Sequence, residues 1–321
     1  MIRRRRAEVR GRGGTAARLA AWVDRDVAAV AVVVVLGVLA FSPWWAGGRV
    51  FAPLDLLDGF YQPWAGPSPR ASAHNHFTSD AVTNFLVYRR IAEESFAEDG
   101  WIGWSDRTYG GRPEHANTMA TYGDWTVQLH RYLGFWTAWH LGLLGQFLVA
   151  GLGMLVLLRS RGATPLVGAL GAVAYGANSQ FVLWIYHRWQ LGAFAWVPWL
   201  VWSIGRYRAG RGWAWPLVPA FMALAFLGGN LQTCGFVALV IGAAWLGWAV
   251  RWSPRLRVDG RLTAHLAAWT ALGVGLAAFT LVPEAFAYAE TLEVGLDRGG
   301  IGYRHGPVQP LLSALLIPVQ A

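Results

Sequence analysis

Residues 135–158 read FWTAWHLGLLGQFLVAGLGMLVLL, a run without a single Asp, Glu, Lys or Arg. Crossing the hydrocarbon core of a bilayer as a helix takes about 20 apolar residues, so this stretch is read as a membrane span. Upstream, residues 27–45 (VAAVAVVVVLGVLAFSPWW) meet the same requirement. The chain between them, 46–134, holds ten of the eighteen acidic residues. It includes PLDLLDGFYQPW (53–64), SDAVTNF (79–85) and GWIGWSDRTYGGRPEHAN (100–117). An anchor or a plain bundle has no need of such a loop. Carboxylates, amides and aromatics gathered there suit chemistry at the membrane surface.

The composition fits a polytopic membrane protein: 55% hydrophobic, 14% charged, with positive mean hydropathy. All 27 basic residues are arginine, which we read as a codon bias. The formal net charge of +9 would suggest nucleic acid in a soluble protein. Here the arginines flank apolar spans, which is a topology signal, and no nucleic-acid partner is expected. Cys234 is the only cysteine, so an intrachain disulfide is excluded. The basic start, MIRRRRAEVRGRGG, leads into an apolar run longer than a signal-peptide core, as in an uncleaved signal anchor.

Hydropathy places seven spans near 27–46, 135–158, 165–186, 191–206, 214–230, 232–250 and 263–287. The expected fold is all-α: a polytopic transmembrane helix bundle with a large first extracytoplasmic loop containing interfacial helices. Its parts are a basic tail (1–26), the first span (27–46), the large loop (47–134), six further spans (135–287), an outer loop (288–309) and the start of an eighth helix (310–321). Arginines cluster in the tail and in loops 159–164, 206–213 and 251–262. These alternate with the other loops, so the positive-inside rule sets all four in the cytoplasm and the large loop outside.

Within the loop, Val82, Phe85, Leu86, Arg89, Ile91 and Phe96 recur at helical spacing from Asp80 to about Ala97. Such a helix can lie flat on the membrane with its apolar side down, and Ser79 or Asp80 suits its N-cap. Asp80 is the leading candidate for a general base; an ordinary cap or solvated charge is the plainer reading. Asp55 and Asp58 can bind acceptor hydroxyls, hold a cation or merely solvate the loop. His74, His76 and Asp80 form a loose metal-ligand set with non-specific spacing. A divalent cation is therefore left open, and no other cofactor is expected.

His187 and Arg188 fall in a short outer turn, where arginine runs against the topology trend. Its planar fork matches phosphate oxygens, although snorkelling or pairing with a loop carboxylate would also explain it. Arg298, Arg304 and His305 in the last outer loop can add to the same phosphate site. Asn230 and Gln232 in GGNLQT, and Glu284 in LVPEAF after Pro283, are read as lining a cavity or bonding between helices.

Taken in order, these segments resemble the YfhO-like family of bacterial membrane proteins, which belongs with the GT-C glycosyltransferases. Asp80 and the helix after it look like the family's acidic first-loop motif. GWIGWSDRTYGGRPEHAN resembles its G-x-x-P-L-W-N-P-x-x-x-G-G-x-P-x-x-A-N segment, which closes on Asn117. GMLVLLRSRGATPLVGALGAVAYGANSQF (153–181) looks like its second and third spans. His187 with Trp196 and Pro198 resembles its H…W-x-P-L stretch, GGNLQT its G-G-H-x-Q-T, and LVPEAF its L-P-x-x-E. Trp104-Ser105-Asp106 stands where Trp-Asn-Pro is usual, and Asn230 where His is common.

The resemblance implies a GT-C bundle in the bacterial cytoplasmic membrane. It implies transfer of a sugar from a polyprenyl-phosphate-linked donor to a cell-envelope polymer or glycolipid on the outer face. Asp80 would deprotonate the acceptor, which Asp55, Asp58 and Asn117 help to hold. His187, Arg188 and Arg304 would take the leaving phosphate. The family's greater length makes this chain an expected N-terminal portion. Two other readings stand beside it: a transporter or flippase partner for lipid-linked intermediates, and an inactive fragment.

Overall fold

The computed structural model describes residues 25–59, 75, 78–108, 110–251 and 257–297. The candidates His74, His76, Arg298, Arg304 and His305, residues 1–24 of the basic tail and the segment 310–321 lie outside them.

The described chain is mostly helical. Helix α1 covers 25–40 and runs into a turn that includes Pro43. The first loop contributes α2 (Asp55–Gly59), a π-turn at Ala81–Phe85 and α3 (Leu86–Glu98). Then follow α4 (Phe135–Ser160), α5 (Pro165–Gly176), α6 (Ser179–Leu183), α7 (Trp189–Phe194), α8 (Val197–Arg208), α9 (Leu217–Leu227), α10 (Leu231–Ala249) and α11 (Gly260–Asp297). Short helical turns at Ser42–Trp45, Glu114–Ala116, Trp125–Arg131 and Gly212–Ala214 and two short antiparallel ribbons accompany them. In one, β1 (Trp104–Ser105) pairs with β2 (Arg112–Pro113); in the other, β3 (Val250–Arg251) pairs with β4 (Arg257–Val258).

Four stretches are long and apolar enough to cross a membrane: Phe135–Ser160, Pro165–Leu183, Leu231–Ala249 and Gly260–Ala287. Large apolar side chains stay exposed along them, including Leu166, Leu170, Leu246, Leu276 and Phe279. That surface suits lipid and would be costly in water, and the chain is a membrane protein.

The other expected spans are shorter or interrupted. The stretch 191–206 is split between α7 and α8 at Ala195–Trp196, just before Pro198. Pro198 falls at the start of α8, where a proline is tolerated because its missing N–H had no helical partner. Helix α9 rises only about 17 Å. Pro165–Leu183, one of the four crossing stretches, is itself broken at Ala177–Asn178, where Asn178 turns out of α5 and caps α6 by accepting from the Phe181 N–H at 3.0 Å.

The largest core joins α8, α9, α10 and α11 through Leu200, Ile204, Met222, Phe226, Val237 and Trp269. The second core belongs to the first loop. Phe85, Tyr88 and Ala92 from the π-turn and α3 pack on Tyr122, Val127, Trp139 and Trp189. The apolar stripe of α3, expected to face lipid, is thus covered by the protein itself. The stripe finds enough apolar partners on α4 and in the turn before α7.

Arg161 and Arg208 both lie over the Trp248 ring, at 5.5 and 5.1 Å. Arg159 pairs with Asp26 at the start of α1 at 2.5 Å. The arginine-bearing ends of α1, α4, α8 and α10 therefore gather at one end of the bundle, as their alternation in the sequence led us to expect. The first loop sits on the opposite end of α4. There the Phe51 N–H donates to His140 Nε2 and the Phe51 carbonyl accepts from Trp139 Nε1, each at 2.9 Å.

Candidate functional site

Asp80 is exposed and opens the π-turn. Its side chain makes no cap hydrogen bond, so the N-cap reading does not describe it. Asn84 Nδ2 donates to Asp80 Oδ1 at 3.4 Å, and the Tyr88 hydroxyl donates to Asn84 Oδ1 at the same distance. A π-turn inserts an extra residue into a helix and re-aims the side chains beside it, a device frequent at functional sites. Here it faces Phe85 into the protein and leaves Asp80 outward.

His187 meets this turn from the membrane domain. Its ring lies 5.0 Å from Phe85, 4.6 Å from Trp184 and 5.4 Å from Trp189. Burial lowers its pKa, and the Asp80 charge pulls it back up. The two groups therefore share one electrostatic environment although they are distant in sequence. His187 Nδ1 is buried with no hydrogen-bond partner among the described residues. Asp55 reaches the same end: its charge, after burial, raises the pKa of the Tyr186 hydroxyl. Asp58 lies in the same short helix as Asp55.

Arg188 points the other way. It is 2% exposed and lies over the Trp139 ring at 5.0 Å. Its Nη1 donates to the Trp139 carbonyl at 3.2 Å and its Nη2 to Thr126 Oγ1 at 2.8 Å. A Cβ at Gly142 would stand 2.5 Å from Nη2, so only glycine leaves room for the guanidinium. The expected phosphate fork is thus committed to the interior. Thr126 Oγ1 in turn donates to Asp124 Oδ1 at 2.5 Å, and Gln146 Nε2 donates to Asp124 Oδ2 at 2.9 Å.

Arg89, the charged member of the α3 stripe, completes this layer. It is 1% exposed and donates to the Ala120 carbonyl at 2.5 Å and to Thr121 Oγ1 at 3.0 Å. Arg188 and Thr121 are the non-glycine residues with positive φ among those described, at 67° and 48°. Strain of this kind persists where surrounding contacts over-determine it. Burial and the neighbouring Arg89 bring the Arg188 pKa down to about 9, with Asp124 opposing. His130 sits beside the same cations. Burial, then Arg89, Arg188 and Arg90, push its pKa down to about 3, so its ring is neutral.

Glu114 was not singled out in the sequence, yet it organises the Gly-rich hairpin. Its fully buried carboxylate accepts from Arg112 Nε at 2.7 Å, Thr108 Oγ1 and the Tyr122 hydroxyl at 2.9 Å, and Asn117 Nδ2 at 3.0 Å. Burial works to raise its pKa, and these hydrogen bonds outweigh it. Asn117 is buried in this network and also accepts from the Met119 N–H at 3.2 Å. The signal was present in the sequence as a carboxylate between Pro113 and His115, but nothing there distinguishes it from its solvated neighbours.

Asn230 is the cap of α10: its Oδ1 accepts from the Thr233 N–H at 2.9 Å. Gln232 is exposed. Glu284 is 3% exposed in the helix that carries Pro283, and its Oε2 has no hydrogen-bond partner among the described residues. Three of the candidates, Asp55, Asp80 and His187, are therefore brought to one patch. Asn117, Arg188, Asn230 and Glu284 are buried; the first three are engaged in hydrogen bonds within the protein. No group of three or more His, Cys, Asp or Glu arranged for a metal ion occurs among the described residues. No family profile, curated protein or solved structure is matched by this chain.

Proposed function

We propose that the chain is a membrane glycosyltransferase of GT-C type, taking a sugar from a polyprenyl-phosphate donor to a cell-envelope acceptor on the outer side of a bacterial cytoplasmic membrane. The observation that carries this reading is Asp80: an exposed carboxylate at the head of a π-turn, electrostatically coupled to His187 within an aromatic patch. A carboxylate so placed can take the proton of an acceptor hydroxyl while the lipid phosphate departs. Phosphate is a good leaving group, so the phosphate end needs positive potential and no acid. His187 lies nearest. Behind it, Arg89 and Arg188 outnumber Asp124 in one buried layer, which sets two guanidiniums on the inner side of His187. The arginine-rich end would face the cytoplasm.

The test is a transfer assay. The purified chain in lipid receives radiolabelled polyprenyl-phosphate sugars and crude envelope acceptor. Label appearing on the acceptor supports the reading, and no transfer from any donor by folded protein sinks it.

The interrupted helices α5–α6 and α7–α8 favour a second reading, movement of a lipid-linked intermediate, since broken helices also line transport paths. Movement of labelled lipid across vesicles without a new glycosidic bond would select it.

A further inference from the structure

At the arginine-rich end, a cavity of about 530 Å³ opens between the end of α8 and the start of α11. That volume is typical of small-ligand sites. Its wall includes Tyr207, Arg208, Asp259, Arg261 and His265. The Tyr207 hydroxyl and His265 Nδ1 are 3.0 Å apart, and both rings pack on Trp269. This fixes the floor. Arg208 and Arg261 are exposed at the rim and have no ion pair among the described residues. The wall's carboxylate, Asp259, accepts from the Leu262 N–H at 3.0 Å and so is committed to starting α11. Two guanidiniums against one engaged carboxylate leave the cavity positive.

We propose that this cavity binds the phosphate-bearing head group of an anionic phospholipid. The guanidinium fork matches phosphate oxygens in a way a point charge does not. Trp213 and Trp215, both more than half exposed, follow Gly212 of the cavity wall. Exposed tryptophans mark head-group depth, where a lipid reaches the cavity from the side while its chains stay in the bilayer. Basic pockets between spans on this side of a membrane hold such head groups. The inference is independent of the transferase reading, since it concerns the other end of the bundle.

The experiment is native mass spectrometry of the full chain in neutral detergent, titrated separately with phosphatidylglycerol, phosphatidylcholine and inorganic phosphate. Phosphatidylglycerol is expected to be retained in preference to phosphatidylcholine, and less so as salt is raised. Arg208→Gln and Arg261→Gln should each weaken it about fivefold, while Arg257→Gln, on the ribbon nearby, leaves it unchanged. Equal retention by wild type and both variants overturns the site. Salt-insensitive retention in wild type overturns it without any variant. Inorganic phosphate bound as well as the lipid, and lost in the same variants, overturns the lipid as occupant.

Discussion

Arg188 Nη2 donates to Thr126 Oγ1 at 2.8 Å, tying the turn before α7 to the first loop across 62 positions of sequence. The same hydroxyl donates onward to Asp124, so a buried guanidinium and a buried carboxylate communicate through one side chain. Arg89 approaches from α3. Three charged groups thus fix how the loop that carries Asp80 sits on the helices that carry His187.

Removing the single anion of this layer leaves two guanidiniums buried without compensation. Asp124→Ala is expected to cost about 3–5 kcal/mol, seen as a large fall in thermal midpoint in detergent. Arg188→Gln should cost less, because it also removes the repulsion with Arg89. An Asp124→Ala protein as stable as wild type would refute this account of the layer.

Gly192 of α7 and Gly228 after α9 touch backbone to backbone. A Cβ at Gly192 would stand 2.3 Å from the Gly228 carbonyl oxygen and 2.6 Å from Asp124 Oδ2. Neither neighbour can yield cheaply, so Gly192→Ala should destabilise by at least the roughly 1–3 kcal/mol of ordinary overpacking. Gly235→Ala, with nothing within 4 Å of its Cβ, should be neutral or slightly stabilising. Chemical or thermal unfolding of the pair in one detergent decides it.

His130 sets an acid limit. Its folded pKa, about 3, lies below the ordinary 6.5, so the unfolded chain binds the proton more readily. Stability from neutral His130 is complete above pH 6.5 and is lost as pH falls toward 3. His187, also lowered, contributes in the same direction with a smaller opposing pull from Asp80. Glu114 joins only below its ordinary value of 4.5, its folded pKa being depressed. The slope of stability between pH 6.5 and 4.5 should therefore flatten in His130→Gln. A slope unchanged by that substitution would place the acid sensitivity elsewhere.

Asp80→Ala and Asp80→Asn should reduce sugar transfer by roughly 10²–10⁴-fold, the usual contribution of a general base. Both should leave the fold intact, since Asp80 is exposed and makes only the long bond to Asn84. Circular dichroism and gel filtration provide the control. Full transfer by a folded Asp80→Ala protein would remove Asp80 from the mechanism.

The sequence by itself determined the membrane class, the helical architecture, the large polar loop and the common end of the arginine clusters. Each follows from hydropathy and charge along the chain, which are local quantities. It also marked Asp80 and the helix after it, because a 3.6-residue period is visible in one dimension. What the tertiary structure decided was direction. Arg188 looks like a free cation in an outer turn, but its positive φ and the space left by Gly142 turn it inward. Arg89 interrupts an apolar stripe, which hints at burial, yet its acceptors, Ala120 and Thr121, lie some thirty residues away. Glu114 and Asn117 belong to one buried network that spacing does not reveal. Interior polar groups are satisfied by whichever donors and acceptors the fold brings near. Those partners come from distant segments, so their pairing exists only once the chain is packed.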